Sequence, residues 1–282
     1  PHLRNTVLID GDDFGAYRNA EPLAVQAPGD GASAGDPFVL LYTSGSSSRP
    51  KCVPLVHYAS IENGFNIGER QGLTPADRVL ISIPLFWSYG AVNALMAAVS
   101  HGATMVLQGR SEPGVALDLI ERDQCTSIYT LPAMTNALLA HPDFKPERTK
   151  SLRTGATIGA PQDLIRAAEG LGAHAICNIY GQTEGYGNCC VTPHDWPLEQ
   201  RAACQGPPLP GVTVRICNPG TGAIGPTGTI GDIEITGYLS PGYAGLSAEF
   251  DSAVYTDDGY FKTGDLGSLL DNGAIVYAGR SS

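Results

Sequence analysis

The middle of the chain alternates short apolar runs, typical of buried strands, with longer segments of helical spacing. Strand-like runs lie at 38–42, 79–83, 104–107, 127–131 and 174–180. Helix-like segments lie at 55–70, 89–100, 115–122, 132–140 and 161–171. Strands that alternate with helices of this length predict βαβ crossovers. We therefore expect an α/β fold with a mainly parallel sheet flanked by helices.

The pattern changes after about Gly206, where the helical spacing stops. Short β-branched runs at 212–216, 232–235 and 274–277 are separated by glycine and proline. They predict a small antiparallel β subdomain, or a partial barrel. We therefore divide the chain into a connecting segment at 1–35, an α/β subdomain at 36–205 and a β-rich subdomain at 206–282.

Composition narrows the possible functions. The 282 residues carry 17 Lys and Arg against 28 Asp and Glu, a net charge of −11, so nucleic acid is not an expected partner. Seven cysteines without a Cys-x-x-Cys pair predict neither a disulfide framework nor a structural zinc site, and they favour a reducing cytoplasm. The longest apolar stretch, at 89–107, is interrupted by polar residues and predicts no transmembrane segment.

Two loops carry candidate chemistry. Gly31-Ala-Ser-Ala-Gly35 matches the Gly-x-Ser-x-Gly elbow of serine hydrolases, but that elbow needs a strand before it and a helix after it. Here a Gly/Asp/Pro loop precedes the motif and a predicted strand follows it. A flexible loop is therefore the favoured interpretation, and a nucleophilic Ser33 is the weakest alternative.

The second loop, Tyr42-Thr-Ser-Gly-Ser-Ser-Ser-Arg-Pro-Lys51, lies between a predicted strand and a predicted helix. It is not a Walker loop, because Pro50 and Cys52 replace the required glycine and hydroxyl residue. Its backbone N–H groups, hydroxyls and lysine ammonium could still surround a polyphosphate, with the following helix N-terminus adding positive potential. A solvated serine-rich turn is the alternative for this loop taken alone.

Three later segments, taken with this loop, resemble the adenylate-forming superfamily, and within it the acyl-CoA synthetases. The loop at 43–51 resembles that family's phosphate loop, and Tyr180-Gly-Gln-Thr-Glu184 resembles its Y-G-x-T-E motif. Thr263-Gly-Asp265 resembles its T-G-D motif, and Gly279-Arg280 resembles the start of its hinge. The order and separations match, so the resemblance covers the chain from about Phe38 to its end.

The resemblance implies an ATP-dependent, AMP-forming acid–thiol ligase that uses ATP, Mg²⁺ and coenzyme A. It implies catalytic roles for Lys51, for Thr183 at the α-phosphate and for Glu184 as the Mg²⁺ ligand. Asp265 would accept hydrogen bonds from the ribose, Arg280 would contact ribose or phosphate, and 159–161 with Tyr180 would line the adenine slot. The implied nucleotide-binding residues are Thr43, Ser44, Gly45, Ser46, Ser47, Ser48, Gly159, Ala160, Pro161, Tyr180, Gly181, Gln182, Asp265 and Arg280.

Each of these residues taken singly has a structural alternative. Glu184 could be a charge at a helix N-terminus, Asp265 could cap a turn, and Tyr180 could be ordinary core. The four motifs in the family's order are what favour the functional interpretation.

The segment 84–90 resembles the part of the family's acyl pocket that reads P-x-F-H, with Trp87 where histidine is common. It implies substrate contacts from Phe86, Trp87, Tyr89 and Gly90, although Phe86 and Tyr89 could equally be core residues. Amino-acid-activating members of the family usually have an aspartate in this region that holds the substrate ammonium, and none lies between residues 84 and 96. We therefore expect an apolar carboxylic acid as substrate, and coenzyme A or a carrier-protein arm as the thiol.

The phosphate loop departs from the family, which usually has glycine where this chain has Ser48 and Cys52. If Ser48 needed a positive φ, the strain would cost about 1 to 2 kcal/mol. This leaves two alternatives to full activity. One is a ligase that adenylates poorly and mainly thioesterifies a pre-formed acyl-adenylate, and the other is a non-catalytic relative that binds nucleotide or acyl groups.

The two ends of the sequence predict an excerpt. The chain opens at Pro1 without an initiator methionine, and it stops two residues after Gly279-Arg280, where the family's hinge begins. We therefore expect the family's small C-terminal domain, with its catalytic lysine, to be absent from this stretch. The stretch alone is expected to be a poor catalyst.

Overall fold

The computed structural model describes residues 31, 33–43, 50–246 and 253–281. The chain forms two compact units, Pro1–Ala34 and Gly35–Ser282, and all of the described helices and strands belong to the second. In the first unit Ser33 is exposed. The chain then enters the strand Pro37–Thr43, so the helix that a hydrolase elbow requires does not follow this serine.

The first two strands form an antiparallel hairpin. Strand β1 spans Pro37–Thr43 and β2 spans Lys51–Val56, with Thr43 opposite Lys51. This corrects the predicted order of strand, loop and helix, because helix α1 begins at His57 and not at Leu55. Val53 and Leu55 are fully buried two residues apart, the period of a strand. No helix N-terminus therefore directly follows the serine-rich loop.

The central sheet has six strands in the order β4-β3-β5-β6-β7-β8. All neighbouring pairs are parallel except β7 with β8, so the predicted mainly parallel sheet is confirmed. The short strands β6 and β8, which lack long apolar runs, were not predicted. The strands are β3 Arg78–Ile81, β4 Thr104–Leu107, β5 Ser127–Tyr129, β6 Thr154–Thr157, β7 Ala175–Tyr180 and β8 Cys190–Val191.

Helices connect the parallel strands and cover the sheet, and their apolar sides join the strands in two large buried clusters. Two predicted helices are partly π-helical, over Tyr89–Ala94 and Arg166–Gly170, and short 3₁₀ turns lie at Pro146–Thr149 and Thr183–Gly185. Among the described residues, no helix is long and apolar enough to cross a bilayer. The α-helices are α1 His57–Gln71, α2 Leu95–Ser100, α3 Pro113–Asp123, α4 Pro132–Leu139, α5 Pro161–Ile165 and α6 Leu198–Ala203.

The predicted β subdomain is an antiparallel sheet of four strands: β9 Thr213–Cys217, β10 Gly231–Thr236, β11 Phe261–Leu269 and β12 Ile275–Arg280. Their order in the sheet is β12-β11-β10-β9. The inner face of the sheet packs on Tyr180, Cys189 and Cys190, at the end of the central sheet. Strand β11, which contains two glycines, was not predicted.

Candidate functional site

Two adjoining cavities lie beyond the carboxyl ends of β6 and β7, the edge at which open α/β sheets usually bind ligands. The smaller has a volume of about 640 Å³ and the larger about 1010 Å³. They share wall residues, so they lie side by side. The shared residues are Ile158, Ile179, Gly181, Gln182 and Arg280.

The smaller cavity is a slot between the 159–161 segment and two strands of the β subdomain. Tyr180 ends β7 and faces Tyr277 of β12 at 5.9 Å between ring centroids. Asp265 closes one end, with its Oδ2 accepting from the Tyr180 hydroxyl at 2.8 Å and its Oδ1 lying 3.0 Å from Arg280 Nη1. The slot thus combines aromatic surface, close backbone and one buried carboxylate.

Two titratable groups in the slot have shifted pKa values. Burial raises the pKa of Asp265 above its usual value, and the Tyr180 hydroxyl and the Arg280 guanidinium reverse only part of that shift. Burial also raises the pKa of Tyr180, which therefore stays protonated and donates to the carboxylate. At the Asp265 carboxylate, burial therefore outweighs the stabilisation that Tyr180 and Arg280 provide.

The Thr-Gly-Asp turn holds Asp265 in this place. Gly264 has a φ of +69°, a conformation that favours glycine. The Thr263 hydroxyl donates to the Ile233 carbonyl at 2.7 Å and accepts from the Asp265 N–H at 3.1 Å. The Thr263 carbonyl accepts from Arg280 at 3.2 Å, so the turn also fixes the end of β12.

The 3₁₀ turn Thr183–Gly185 lies in the wall of the larger cavity. The Thr183 hydroxyl lies 3.2 Å from that of Ser88. Glu184 is only 7% exposed, and its Oε1 accepts from the Tyr243 hydroxyl at 2.7 Å. Its backbone carbonyl accepts from Ser240 N at 2.7 Å, so the turn is held from two directions.

Buried asparagines support the residues that follow this turn. Tyr186 adopts a left-handed φ of 59°, and its carbonyl accepts from Asn63 Nδ2 at 3.1 Å and Asn93 Nδ2 at 2.8 Å. The Tyr186 hydroxyl accepts from Val56 N at the end of β2. These contacts couple the turn that carries Glu184 to the strand that begins with Lys51.

Lys51 and Thr43 flank the serine-rich loop, and both line the larger cavity. The Lys51 ammonium lies 5.3 Å from the centre of the Tyr243 ring, within cation–π range. The other predicted loop residues, Ser44, Gly45, Ser46, Ser47 and Ser48, lie outside the described residues.

The predicted acyl-contacting residues divide into two pairs. Trp87 and Tyr89 line the larger cavity, and the Tyr89 hydroxyl donates to the Ala156 carbonyl at 2.7 Å. Phe86 and Gly90 are not among the described residues of the wall. Phe86 is 71% exposed and packs edge-on against Trp87, whereas a Cβ on Gly90 would approach the Pro84 carbonyl oxygen to 2.3 Å.

Sequence reasoning missed several residues of the site. Tyr243 contacts Glu184 from 59 positions away, and Ser88 and Tyr277 reach the site from separate elements. Ser88 lies within the recognised segment 84–90 but was not singled out there, and Tyr243 and Tyr277 belong to none of the recognised motifs. The short Gly242-Tyr243 step is the one local signal, and it predicts only a turn.

The donor set of the larger cavity fits a magnesium ion that arrives with a polyphosphate. Among residues 31, 33–43, 50–246 and 253–281, no three His, Cys, Asp or Glu side chains gather as a metal cage. Glu184 supplies a single buried carboxylate beside the Thr183 hydroxyl. Magnesium is typically held by one or two carboxylates together with phosphate oxygens and water, so this arrangement suits it.

Comparison with known proteins agrees with this geometry. The family model described as AMP-binding enzyme matches residues 1–244. The acyl-CoA ligase SID4 of Ajellomyces capsulatus is 32% identical over 99% of this chain and 50% of its own length. The mitochondrial medium-chain acyl-CoA ligase ACSF2 of Rattus norvegicus is 33% identical over 87% of this chain and 41% of its own length.

A solved structure gives the same result for the fold. The ATP-bound crystal structure of MatB from Rhodopseudomonas palustris superposes with a TM-score of 0.79 and 29% identity, over 88% of this chain and 49% of that one. The fold is therefore that of the α/β domain of adenylate-forming enzymes, as the motifs predicted. The chain belongs to the AMP-binding enzyme family. It spans about half the length of the curated relatives that it matches.

Proposed function

We propose that the protein containing this chain is an AMP-forming acyl-CoA synthetase, which activates an apolar carboxylic acid with ATP and transfers the acyl group to coenzyme A. The observation that carries the proposal is that the two cavities adjoin and share Gly181 and Gln182 in their walls. Asp265 lines the smaller cavity, and Lys51, Thr183 and Glu184 line the larger one. One extended nucleotide would place its ribose at Asp265 and its triphosphate beside the other three residues.

The smaller cavity would hold the adenosine. Adenine would lie between the 159–161 backbone and the ring of Tyr180, where an apolar slot suits a flat base. Asp265 would accept hydrogen bonds from the ribose hydroxyls, and Arg280 would contact ribose or phosphate. The raised pKa of Asp265 supports this role, because hydrogen bonds from ribose hydroxyls would further stabilise the buried carboxylate.

The larger cavity would hold the reacting groups. A carboxylate oxygen of the acid attacks the α-phosphorus, the bond from that phosphorus to the bridging oxygen breaks, and pyrophosphate leaves. Both reactants are anions, so the ammonium of Lys51 and the hydroxyl of Thr183 would lower the repulsion between them. Glu184 would hold Mg²⁺ together with phosphate oxygens, which adds positive charge where the phosphates carry negative charge.

Transfer to the thiol completes the reaction. The thiol of coenzyme A loses its proton to water, its sulfur attacks the acyl carbon, and AMP leaves with the electron pair of the broken carbon–oxygen bond. A carrier-protein arm would present a sulfur of the same kind, so the identity of the thiol stays a prediction.

The cysteines bear on the compartment of the protein. All seven cysteines are free and six of them are buried, which supports a reducing compartment such as the cytoplasm.

The apolar nature of the acid rests on the wall beyond Thr183. Trp87, Tyr89 and Leu131 supply aromatic and aliphatic surface there. No aspartate is present between residues 84 and 96 to neutralise an amine. We therefore infer a fatty, aryl or terpenoid acid rather than an amino acid.

The altered phosphate loop does not by itself favour a non-adenylating ligase. Cys52 lies within β2, pairs with Tyr42 and is absent from the described non-glycine residues with positive φ. A side chain at this position therefore adds no backbone strain. Ser48 lies outside the described residues, so the alternative rests on that position alone.

The test is pyrophosphate release by the full-length protein, supplied with ATP, Mg²⁺ and a panel of fatty, aryl and terpenoid acids. Release is expected with one acid class, and added coenzyme A should yield AMP and the matching thioester. If no acid caused pyrophosphate release but synthetic acyl-adenylates were converted to thioesters, the result would support the non-adenylating ligase. Mg²⁺-dependent ATP binding without either reaction would support a non-catalytic relative.

A further inference from the structure

Tyr243 stands between two groups that the proposed function assigns to phosphate and metal. It is only 6% exposed and lies in the wall of the larger cavity. Its hydroxyl donates to Glu184 Oε1 at 2.7 Å, while its ring centre lies 5.3 Å from the ammonium of Lys51. One side chain therefore contacts both the buried carboxylate of Glu184 and Lys51, one of the two lysines among the described residues of the cavity wall.

The backbone around Tyr243 is tied to both partners. Ser240 N donates to the Glu184 carbonyl at 2.7 Å, and the Ser240 hydroxyl donates to the Pro54 carbonyl at 2.9 Å. Ala244 N donates to the Cys52 carbonyl at 2.9 Å. The segment 240–244 thus bridges the Glu184 turn and strand β2, which fixes the ring between them.

We propose that Tyr243 is a positioning residue that orients Glu184 for Mg²⁺ and holds the Lys51 ammonium at the phosphate end of the cavity. The inference rests on the proposed function, which assigns Glu184 to the metal. A carboxylate has two oxygens, so Oε1 can keep its hydrogen bond to Tyr243 while the other oxygen remains for the ion. A partner of this kind fixes the direction of the ligand's lone pairs and typically affects metal affinity by about 10- to 100-fold.

The two contacts are separable by mutation. Tyr243→Phe removes the hydroxyl and keeps the ring that faces Lys51, whereas Tyr243→Leu removes both. We expect Tyr243→Phe to raise the half-saturating Mg²⁺ concentration for pyrophosphate release by about 10-fold or more. Tyr243→Leu should show the same shift and, in addition, a several-fold higher KM for ATP at saturating Mg²⁺.

A binding measurement tests the same inference without turnover. Titration calorimetry of ATP into the full-length protein, at a series of Mg²⁺ concentrations and without acid, should show the shifted Mg²⁺ dependence in Tyr243→Phe. ATP binding in the presence of a chelator should equal that of the wild type. This readout stays informative if the wild type releases no pyrophosphate, an outcome that would contradict the proposed function but not the inference.

Tyr129→Phe is the matched control. Its hydroxyl is also buried and accepts from Gln71 Nε2 at 2.6 Å, but the residue lies outside the described walls of both cavities. Tyr129→Phe should therefore lose as much stability as Tyr243→Phe through the missing hydroxyl. Its Mg²⁺ dependence should stay that of the wild type. A Mg²⁺ curve for Tyr243→Phe that overlays the wild-type curve would overturn the proposal.

A double-mutant cycle provides a second, independent test. Glu184→Asp shortens the carboxylate by one methylene and withdraws it from the Tyr243 hydroxyl. If Tyr243 acts through Glu184, adding Tyr243→Phe to Glu184→Asp should change the Mg²⁺ dependence little further. Fully additive shifts would refute the positioning role.

Discussion

Carboxylates are buried at both the amino-terminal and the carboxyl-terminal edge of the parallel sheet, but their environments differ. At the amino-terminal edge, Asp77 precedes β3 and meets Thr126 and Arg153, which precede β5 and β6. At the opposite edge lie Glu184 and Asp265. All three carboxylates are less than a tenth exposed, so burial alone does not explain how they differ.

The difference lies in the hydrogen bonds. Asp77 accepts from Arg153 at 2.6 and 3.0 Å, from Thr126 at 2.6 Å, and from the N–H and hydroxyl of Thr74 at 2.8 and 2.9 Å. Although burial acts to raise the pKa of Asp77, these bonds outweigh it and lower the pKa below its usual value. For Asp265 burial prevails and the pKa is raised.

This contrast separates carboxylates that stabilise the fold from carboxylates that can bind. Both oxygens of Asp77 accept hydrogen bonds from the protein, so this carboxylate links three strand ends. It has little capacity left to bind a ligand. Asp265 is incompletely compensated, a state that costs stability and is common at functional sites. Substitutions at the two edges should therefore change different properties.

The largest effect is expected for Glu184→Gln. The amide keeps the shape of the side chain and an oxygen to accept from Tyr243, but it loses the charge that a metal requires. We expect kcat/KM for pyrophosphate release to fall on the order of 100-fold, with the melting temperature nearly unchanged. Steady-state kinetics and scanning calorimetry on the full-length protein measure both. Retained activity at saturating Mg²⁺ would remove Glu184 from the metal site.

Asp77→Asn should give the opposite pattern. It leaves the Arg153 guanidinium without its charged partner, which should lower the free energy of unfolding by about 2 kcal/mol. Kinetic constants for ATP and acid should stay at the wild-type values. Urea denaturation and steady-state kinetics check these two expectations.

Asp123→Asn is a suitable control for Asp77→Asn, because its ion pair with Arg122 lies at the surface. Pairs of this kind contribute little to stability, so the control should unfold like the wild type. If both variants lost the same free energy of unfolding, the buried network around Asp77 would contribute no extra stability. The comparison between the two edges would then fail.

Much of the candidate site at the carboxyl-terminal edge of the sheet could be located from the sequence because its residues come in contiguous motifs. Tyr180, Thr183 and Glu184 lie within five positions, and Asp265 follows a glycine whose positive φ the turn requires. Local chemistry of this kind is visible without the fold. The alternation of strands and helices likewise predicted the parallel sheet.

The parts that could not be predicted depend on tertiary contacts. Strand β2 was missed because Pro54 and the adjacent serine-rich loop concealed the alternation of Val53 and Leu55. Tyr243 follows an ordinary turn, and it belongs to the site only because residues 240–244 hydrogen-bond to β2 and to the Glu184 turn. The Asp77 network was missed for the same reason, since Arg153 is 76 positions away.

Asp265→Asn should weaken binding without weakening the fold. The asparagine oxygen can keep the hydrogen bond from the Tyr180 hydroxyl, and the amide NH2 then replaces the oxygen beside Arg280, whose side chain is 69% exposed and can turn to water. The substitution also removes the charge and one acceptor that the ribose would use. We expect ATP to bind about 10-fold more weakly, as the loss of one hydrogen bond to a charged group implies. The free energy of unfolding at pH 7 should not fall, because a poorly compensated buried charge is removed. Calorimetric titration with ATP and urea denaturation test the two parts, and a clear loss of stability would contradict the second.

The smallest expected effect, and the one that most directly compares the two edges, is the pH dependence of stability. The usual pKa of an aspartate is 3.8, and that of Asp77 is lower in the folded protein, so its stabilisation is present above pH 3.8 and is lost as the pH falls through the lowered value. Asp265 has a raised pKa, so its contribution is most favourable below pH 3.8 and is lost as the pH rises through the raised value. The stability difference between wild type and Asp77→Asn should therefore shrink on acidification from pH 6 towards 3, whereas wild type should gain relative to Asp265→Asn over the same range. Urea denaturation of the three proteins across that range measures both differences. If the two stability differences changed with pH in the same direction, the two edges would not differ in how their carboxylates contribute to stability.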